Sequence, residues 1–121
     1  MNEQWKAVRG HSSYEISDLG NVRNVRTGKV LKPYNDQRGY LRVDLDYKRC
    51  KVHRLVAVAF CNPRRGRPVV NHKNRDRHDN RACNLEWVTY AQNTAHWREI
   101  ENLKLAEMRA LDVANGDALP W

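Results

Sequence analysis

The amino-acid sequence predicts a small α+β domain in which a β-rich segment comes first and helices follow. Three features indicate this fold class. Turns marked by glycine separate short strand-like runs in the first 50 residues, a strictly alternating stretch follows Gly39, and a helix-capping pattern occurs at Thr89. The 121 residues are enough for one domain with a modest core.

Short antiparallel strands are predicted throughout the first 50 residues. Residues 14–17, 21–25 and 30–34 have strand character, and the turns between them contain Gly20 and Gly28, which can adopt positive φ. The stretch "YLRVDLDY" (residues 40–47) then alternates strictly between apolar and polar side chains. It predicts a half-buried strand whose inner face carries Leu41, Val43, Leu45 and Tyr47.

The block "KVHRLVAVAF" (residues 51–60) has apolar side chains at helical spacing, but its valines suit a strand equally well. We favour a short helix, because the block ends at Asn62-Pro63 and proline is a helix-terminating signal. We expect His53 in this helix to be buried and to hold it against the segment that follows. The next residues, "PRRGRP", form a basic loop.

The region from residue 69 onward predicts the order strand, loop, strand, helix. The runs "VVNH" and "NLEWV" flank a polar loop over Lys73–Cys83, in which we expect Asn80 to stabilise the loop. Thr89 followed by Gln92 is a capping-box pattern, so a helix should begin at Thr89 and end at Gly116. Its opening turns place three side chains on one face: Asn93, His96 and Trp97.

The charge distribution favours a polyanionic partner, of which nucleic acid is the commonest. The chain has 22 Lys and Arg against 14 Asp and Glu, and residues 51–98 alone hold ten basic and three acidic residues. The alternative is a basic surface that serves only solubility. No basic amphipathic helix indicates a membrane-surface protein, and we read neither a secretory signal nor a membrane span, so we expect a cytoplasmic location.

The three cysteines give no sign of a disulfide framework or a zinc ribbon. Cys50, Cys61 and Cys83 are odd in number and contain no C-x-x-C pair. We interpret them as reduced, small apolar residues. A structural zinc site made from Cys61, Cys83, His72 and His96 is an alternative, but these spacings fit no common zinc pattern.

The strand, loop, strand, helix region resembles the HNH endonucleases of the ββα-metal (His-Me finger) superfamily, and in particular the small homing endonucleases of phages and introns. The resemblance is carried by "KVHRLVAVAF", "VVNHKN", "DNRACNLEWVT" and "QNTAH". The earlier runs "WKAVRGHSSYEISDLGNVR", "GKVLKP" and "GYLRVDL" resemble the β-rich module that commonly precedes the motif. The resemblance covers roughly residues 5–98. We therefore expect a β-rich DNA-binding module (1–50) and an HNH nuclease motif (51–98), followed by a C-terminal helical tail (99–121).

The resemblance implies that the chain hydrolyses DNA phosphodiester bonds with one divalent cation, Mg²⁺ or Mn²⁺, and no small-molecule cofactor. His72 is then the general base that takes a proton from water, and Asn84 pins the loop that aims it. Asn71 and Asn93 correspond to metal ligands. His96 is either a further ligand or group beside the metal, or a contact to DNA phosphate.

One residue departs from the family pattern. Many relatives carry Asp before the base histidine, whereas this chain has Asn71. Two neutral amides bind Mg²⁺ weakly, so DNA phosphates must supply the charge, and Mn²⁺ should serve better. The alternative function is a catalytically degenerate module that still binds DNA.

The expected partner is double-stranded DNA in a phage-infected bacterial cell, bound by a monomer or weak homodimer. A single site cuts one strand, so a monomer should nick, and a double-strand break needs two copies or two binding events. Residues near the hairpin would neutralise phosphates, and those of the β module would enter a groove or form a merely solvated face. The candidates are Arg23, Arg26, Lys29, Arg42, Arg64, Arg65, Arg67, Lys73, Arg75 and Arg81.

Overall fold

The computed structural model describes residues 2–62 and 65–115, with side chains to residue 106 in the last helix. The predicted α+β class is confirmed: within these ranges, antiparallel strands are combined with two α-helices. A first compact unit ends at Val88 and a second begins at Thr89.

The described part of the first unit contains three small antiparallel sheets. One has strand order β1-β2-β3, the second has order β4-β5-β6, and the third is the hairpin β7-β8. Helix α1 lies between the second sheet and the hairpin in the chain, and a 3₁₀ turn at Ala82–Asn84 precedes β8. The bounds are β1 Trp5–Val8, β2 His11–Ser17, β3 Val22–Asn24, β4 Tyr34–Asn35, β5 Leu41–Leu45, β6 Lys48–Lys51, α1 Val52–Phe60, β7 Val69–His72 and β8 Leu85–Val88.

The alternating stretch forms β5 as predicted, with Val43 and Leu45 buried in the core. The prediction for Tyr47 was wrong, because its side chain is fully exposed. Leu45 pairs with Lys48, so Asp46 and Tyr47 form a two-residue turn with φ of 50° and 67°. A tight hairpin of this kind needs positive φ at both turn positions. Strand β6 was not predicted, because its charged sequence carries no strand pattern of its own.

The strand predicted over residues 30–34 does not form. Val30 makes one isolated bridge to Arg23, and the next strand is the two-residue β4 at Tyr34–Asn35. Pro33 lies between them and has no backbone N–H to donate to a ladder. The other two predicted runs are confirmed within β2 and β3.

Helix α1 confirms the helical interpretation of residues 52–60, and it joins the β module to the hairpin. Its buried side chains Val52, Val56 and Ala57 belong to the same core cluster as Ile16, Leu45 and Trp87. The indole N–H of Trp87 donates to the carbonyl of Ala57 at 3.4 Å. The segments 1–50 and 51–88 therefore share one core, and their separation into two functional parts stays a prediction.

The second unit begins with the predicted capping box. The N–H of Thr89 donates to Oε1 of Gln92 at 2.9 Å, and the N–H of Gln92 donates to Oγ1 of Thr89 at 3.1 Å. Helix α2 spans Tyr90–Asn115, with Thr89 as the capping residue. The predicted end at Gly116 lies outside the described residues. No described helix is long and apolar enough to cross a membrane.

Candidate functional site

The loop between β7 and β8 is held by the side chain of Asn84. Its Oδ1 accepts the backbone N–H of Asn74 at 3.0 Å, and its Nδ2 donates to Oδ1 of Asn74 at 2.9 Å and to the carbonyl of Asp79 at 2.8 Å. The Asn84 carbonyl also accepts the N–H of Lys73 at 2.8 Å. Asn84 is buried, so these bonds are shielded from water and fix the backbone directly after His72.

His72 is the last residue of β7, and its imidazole faces the interior of the first unit. It lies on the same face of the hairpin as Val70 and Trp87 and is only 5% exposed. Its ring centroid is 5.1 Å from that of His53 and 6.0 Å from that of Tyr40. The ring is thus largely shielded from bulk water, and its role as a general base stays a prediction.

Burial lowers the pKa of His72, and this effect outweighs the hydrogen bond with Asn80, which raises the pKa. The imidazole is therefore neutral near neutral pH, as a proton acceptor must be.

His53 and Tyr40 form the wall against which His72 packs. The rings of His53 and Tyr40 are stacked with centroids 5.0 Å apart. Burial lowers the pKa of His53 to about 3, and the neighbouring His72, Lys51 and Arg54 act in the same direction. The expectation that His53 is buried between helix and hairpin is confirmed.

Asn80 contacts the His72 ring at its Nε2 atom. Its Oδ1 lies 2.7 Å from Nε2 of His72, and its Nδ2 is buried without a hydrogen-bond partner among the described residues. A Cβ atom added at Gly20 would lie 3.0 Å from the Cβ of Asn80, so the turn after β2 packs directly on this residue. Sequence reasoning missed the contact with His72, although Gly20 and Asn80 were each recognised as turn or loop residues.

Asn71 faces the opposite side of the hairpin from His72. Its direct cross-strand partner is Glu86, and the Nδ2 of Asn71 donates to Oε1 of Glu86 at 3.0 Å. Asn71 is buried, whereas Glu86 is half-buried and lines a cavity of about 360 Å³ together with Arg67 and Lys73. Glu86 was not predicted as part of the site.

The two remaining candidate metal residues, Asn93 and His96, lie in the opening turns of α2 in the second unit. The backbone N–H of Asn93 donates to the carbonyl of Thr89 at 3.0 Å, and the ring of His96 lies beside that of Trp97. Within the described residues no three His, Cys, Asp or Glu side chains form a group that could hold a metal ion. The assignment of Asn71, Asn93 and His96 as ligands stays a prediction.

Three of the candidate DNA-binding arginines already make ion pairs within the protein. Arg23 pairs with Glu15 at 2.9 Å and lies over the ring of Trp5, and Arg42 pairs with Asp36 at 2.9 Å. Arg81 pairs with Asp79 at 2.8 Å, which holds the pKa of that carboxyl at about 2.

The other described candidates include five exposed side chains, while Arg75 is half-buried in the loop with a φ of 67°. Arg64 lies outside the described residues. The exposed side chains are Arg26, Lys29, Arg65, Arg67 and Lys73.

Comparison with known proteins indicates the class to which the chain belongs. Residues 3–46 match the model of the NUMOD4 motif. Two proteins of Acanthamoeba polyphaga mimivirus described as HNH endonucleases are 42% identical over 104 residues and 39% identical over 100 residues. The matches cover 78% and 79% of this chain, but 26% and 30% of those proteins. The class of protein defined by hairpin, loop and helix is thus that of the HNH endonucleases.

A solved structure of DNA binding and cleavage by the HNH homing endonuclease I-HmuI matches with a TM-score of 0.76 and 30% identity, covering 93% of this chain and 68% of that one. The DNA endonuclease I-HmuI of Bacillus phage SP01 is 37% identical over 95 residues, which are 74% of this chain and 55% of that protein. The chain belongs to the HNH homing endonuclease family. It spans about a quarter to just over half of the length of the curated relatives it matches.

Proposed function

We propose that the chain is a DNA endonuclease that requires a divalent metal ion and cuts one strand per site, as expected of a phage homing enzyme. The observation that carries the proposal is the placement of His72 at the end of β7, where Asn80 and the loop that Asn84 fixes hold it. Family membership supports the reaction class, and the contacts of the side chains support the roles proposed below.

His72 is proposed as the general base. With Oδ1 of Asn80 accepting a hydrogen bond from Nε2–H, the basic nitrogen is Nδ1, which makes no hydrogen bond within the described part of the chain. Nδ1 could then accept the proton of an attacking water. Asn84 acts on His72 only through the loop backbone.

The hairpin fits a hard divalent cation, because it presents an amide and a carboxylate side by side at Asn71 and Glu86. We propose Asn71 and Asn93 as the ligands, with His96 as a further ligand or a contact to phosphate. A bound Mg²⁺ or Mn²⁺ would supply charge neutralisation at the phosphate and the leaving oxygen. The exposed basic side chains would bind the DNA backbone on either side of the cut.

A second candidate function is supported by two particular observations. The imidazole of His72 is almost fully buried, and the residue before it is a neutral amide rather than the family's usual aspartate. A catalytically degenerate domain that grips DNA without cutting it would have these same features.

Plasmid cleavage separates the two functions. Supercoiled plasmid is incubated with the protein or its His72→Ala variant, in Mg²⁺, in Mn²⁺ and in chelator, and nicked product is measured on a gel. We expect nicking by the unmodified protein that needs metal and is lost in His72→Ala. DNA binding by both proteins with no nicking by either would establish the degenerate module instead.

A further inference from the structure

We propose that Glu86 is a positioning residue for the metal site, acting through Asn71. It fixes the Asn71 amide, makes its oxygen a stronger ligand and supplies the negative charge that an asparagine lacks at this position. This inference rests on the proposed function, because it assumes that Asn71 binds the divalent cation.

The first argument is the geometry of the pair. Asn71 and Glu86 are directly opposite each other on β7 and β8, so the backbone ladder holds their side chains together on one face. The amide nitrogen donates to the carboxylate at 3.0 Å, which leaves the oxygen as the amide atom not used in this bond. The bond therefore fixes the orientation of the amide, with its nitrogen toward Glu86.

The second argument is electrostatic. A hydrogen bond from an amide N–H to an anion draws electron density toward the amide oxygen, and outer partners of this kind orient and strengthen metal ligands. The carboxylate also places a full negative charge one side chain away from the ligand. A neutral amide alone provides neither effect.

The third argument is that this carboxylate makes no close ion pair within the described residues. Of the three acidic residues between 51 and 98, Asp79 is paired with Arg81, and Asp76 accepts the backbone N–H of His78 in a turn. Arg67 and Lys73 line the same cavity as Glu86, yet no ion pair within 4.0 Å involves Glu86 among the described residues. Its charge is therefore not taken up by a close ion pair with a basic side chain.

The chain offers a matched control for this pair. Glu3 accepts a hydrogen bond from the amide of Asn21 at 2.6 Å, in the β module. Glu3→Gln therefore removes one negative charge from a second Glu–Asn pair, with the same change in net charge as Glu86→Gln.

The test measures metal binding directly. The protein carrying His72→Ala, which is expected to prevent cleavage, is saturated with a DNA duplex at low salt and titrated with Mn²⁺. The free ion is followed by electron paramagnetic resonance. We expect Glu86→Gln, which keeps an acceptor for Asn71 but loses the charge, to raise the Mn²⁺ Kd by about 10- to 100-fold. Glu3→Gln should change it by less than about two-fold, and circular dichroism and thermal melting confirm that each variant is folded.

A double variant isolates the role of charge. Asn71→Asp places the missing charge on the ligand itself, so in this background Glu86→Gln should cost far less Mn²⁺ affinity than it does beside Asn71. Equal losses in the two backgrounds would contradict the proposed link between Glu86 and Asn71.

The remaining outcomes separate this inference from the proposed function. If metal-dependent nicking requires His72 and Asn71 but Glu86→Gln leaves the Mn²⁺ Kd unchanged, the assignment of Glu86 is wrong and the endonuclease remains. If Glu86→Gln tightens DNA binding without altering Mn²⁺ binding, Glu86 serves only to offset Arg67 and Lys73, which also overturns the inference. Absence of Mn²⁺ binding by every protein would remove both proposals.

Discussion

His53 is a buried histidine, and it should make the stability of the protein sensitive to acid. Its folded pKa is about 3, whereas an unfolded histidine has a pKa of about 6.5. Below about pH 6.5 the unfolded chain gains a proton that the folded His53 does not, so stability is full above this pH and is lost as the pH falls toward 3. The loss should reach ~1.4 kcal/mol per pH unit.

Urea unfolding between pH 7 and pH 4 tests this prediction against His53→Phe, which keeps an aromatic ring beside Tyr40 but cannot take up a proton. The free energy of unfolding of the unmodified protein should fall more steeply with acid than that of the variant. Parallel curves would show that His53 is not the group responsible.

Asn84 should stabilise the protein through its hydrogen bonds to polar groups of the loop after β7. Asn84→Ala removes three hydrogen bonds and leaves the N–H of Asn74 without its acceptor in a partly buried loop. We expect a loss of about 2 kcal/mol in the free energy of unfolding. Nicking should fall further than the unfolded fraction explains, because the backbone after His72 is no longer fixed. The control is Asn62→Ala at an exposed position, which should change neither quantity.

At the scale of elements, sequence patterns predicted those features that a single segment determines. The alternation of β5 follows from one buried face, and the capping box of α2 requires only Thr89 and Gln92. Strand β6 depends on pairing with β5, so its own charged residues do not reveal it. The pairs His72–Asn80 and Asn71–Glu86 depend on the path and register of the hairpin. The sequence therefore indicated His72, Asn80 and Asn71 only as separate residues and did not indicate Glu86.

The turn after β2 and the loop after β7 should behave as one element, because Gly20 and Asn80 are in contact and the N–H of Ala82 donates to the carbonyl of Asp18 at 2.7 Å. Gly20→Ala places a Cβ atom 3.0 Å from the Cβ of Asn80, in a backbone conformation with φ of 89°. Gly28→Ala is a matched control, since Gly28 has a φ of 71° but no atom within 4 Å of the added Cβ.

Both alanine variants should lose about 1–2 kcal/mol of stability from the left-handed backbone alone. Gly20→Ala should lose more, because Asn80 must move, and nicking should fall only in this variant. The comparison is made by urea unfolding and plasmid cleavage. Equal losses of stability with unchanged nicking would show that the contact with Gly20 does not position Asn80.

For the whole molecule, the sequence predicted the sign of the surface charge but not which cations are already paired. Composition gives an excess of eight positive charges, and the resemblance assigned ten basic residues to DNA. The structure shows that Arg23, Arg42 and Arg81 each have a carboxylate partner within the protein. These ion pairs depend on how the chain folds. A count of charges in the sequence therefore does not distinguish basic side chains that are paired from those that are not.

This distinction predicts how salt should weaken DNA binding. Each phosphate neutralised by a free cation contributes a slope of about −0.9 to the dependence of log K on log salt concentration. Lys73→Ala and Arg67→Ala should each make the slope shallower by about one, because both side chains are exposed beside the hairpin. Arg23→Ala should change the slope less, because DNA would have to compete with Glu15 and Trp5 for its guanidinium. The slope is measured by fluorescence anisotropy on one labelled duplex across a salt series, for the unmodified protein and the three variants. A larger change in slope for Arg23→Ala than for Lys73→Ala would place the main contact with the DNA backbone on the β module instead of the hairpin.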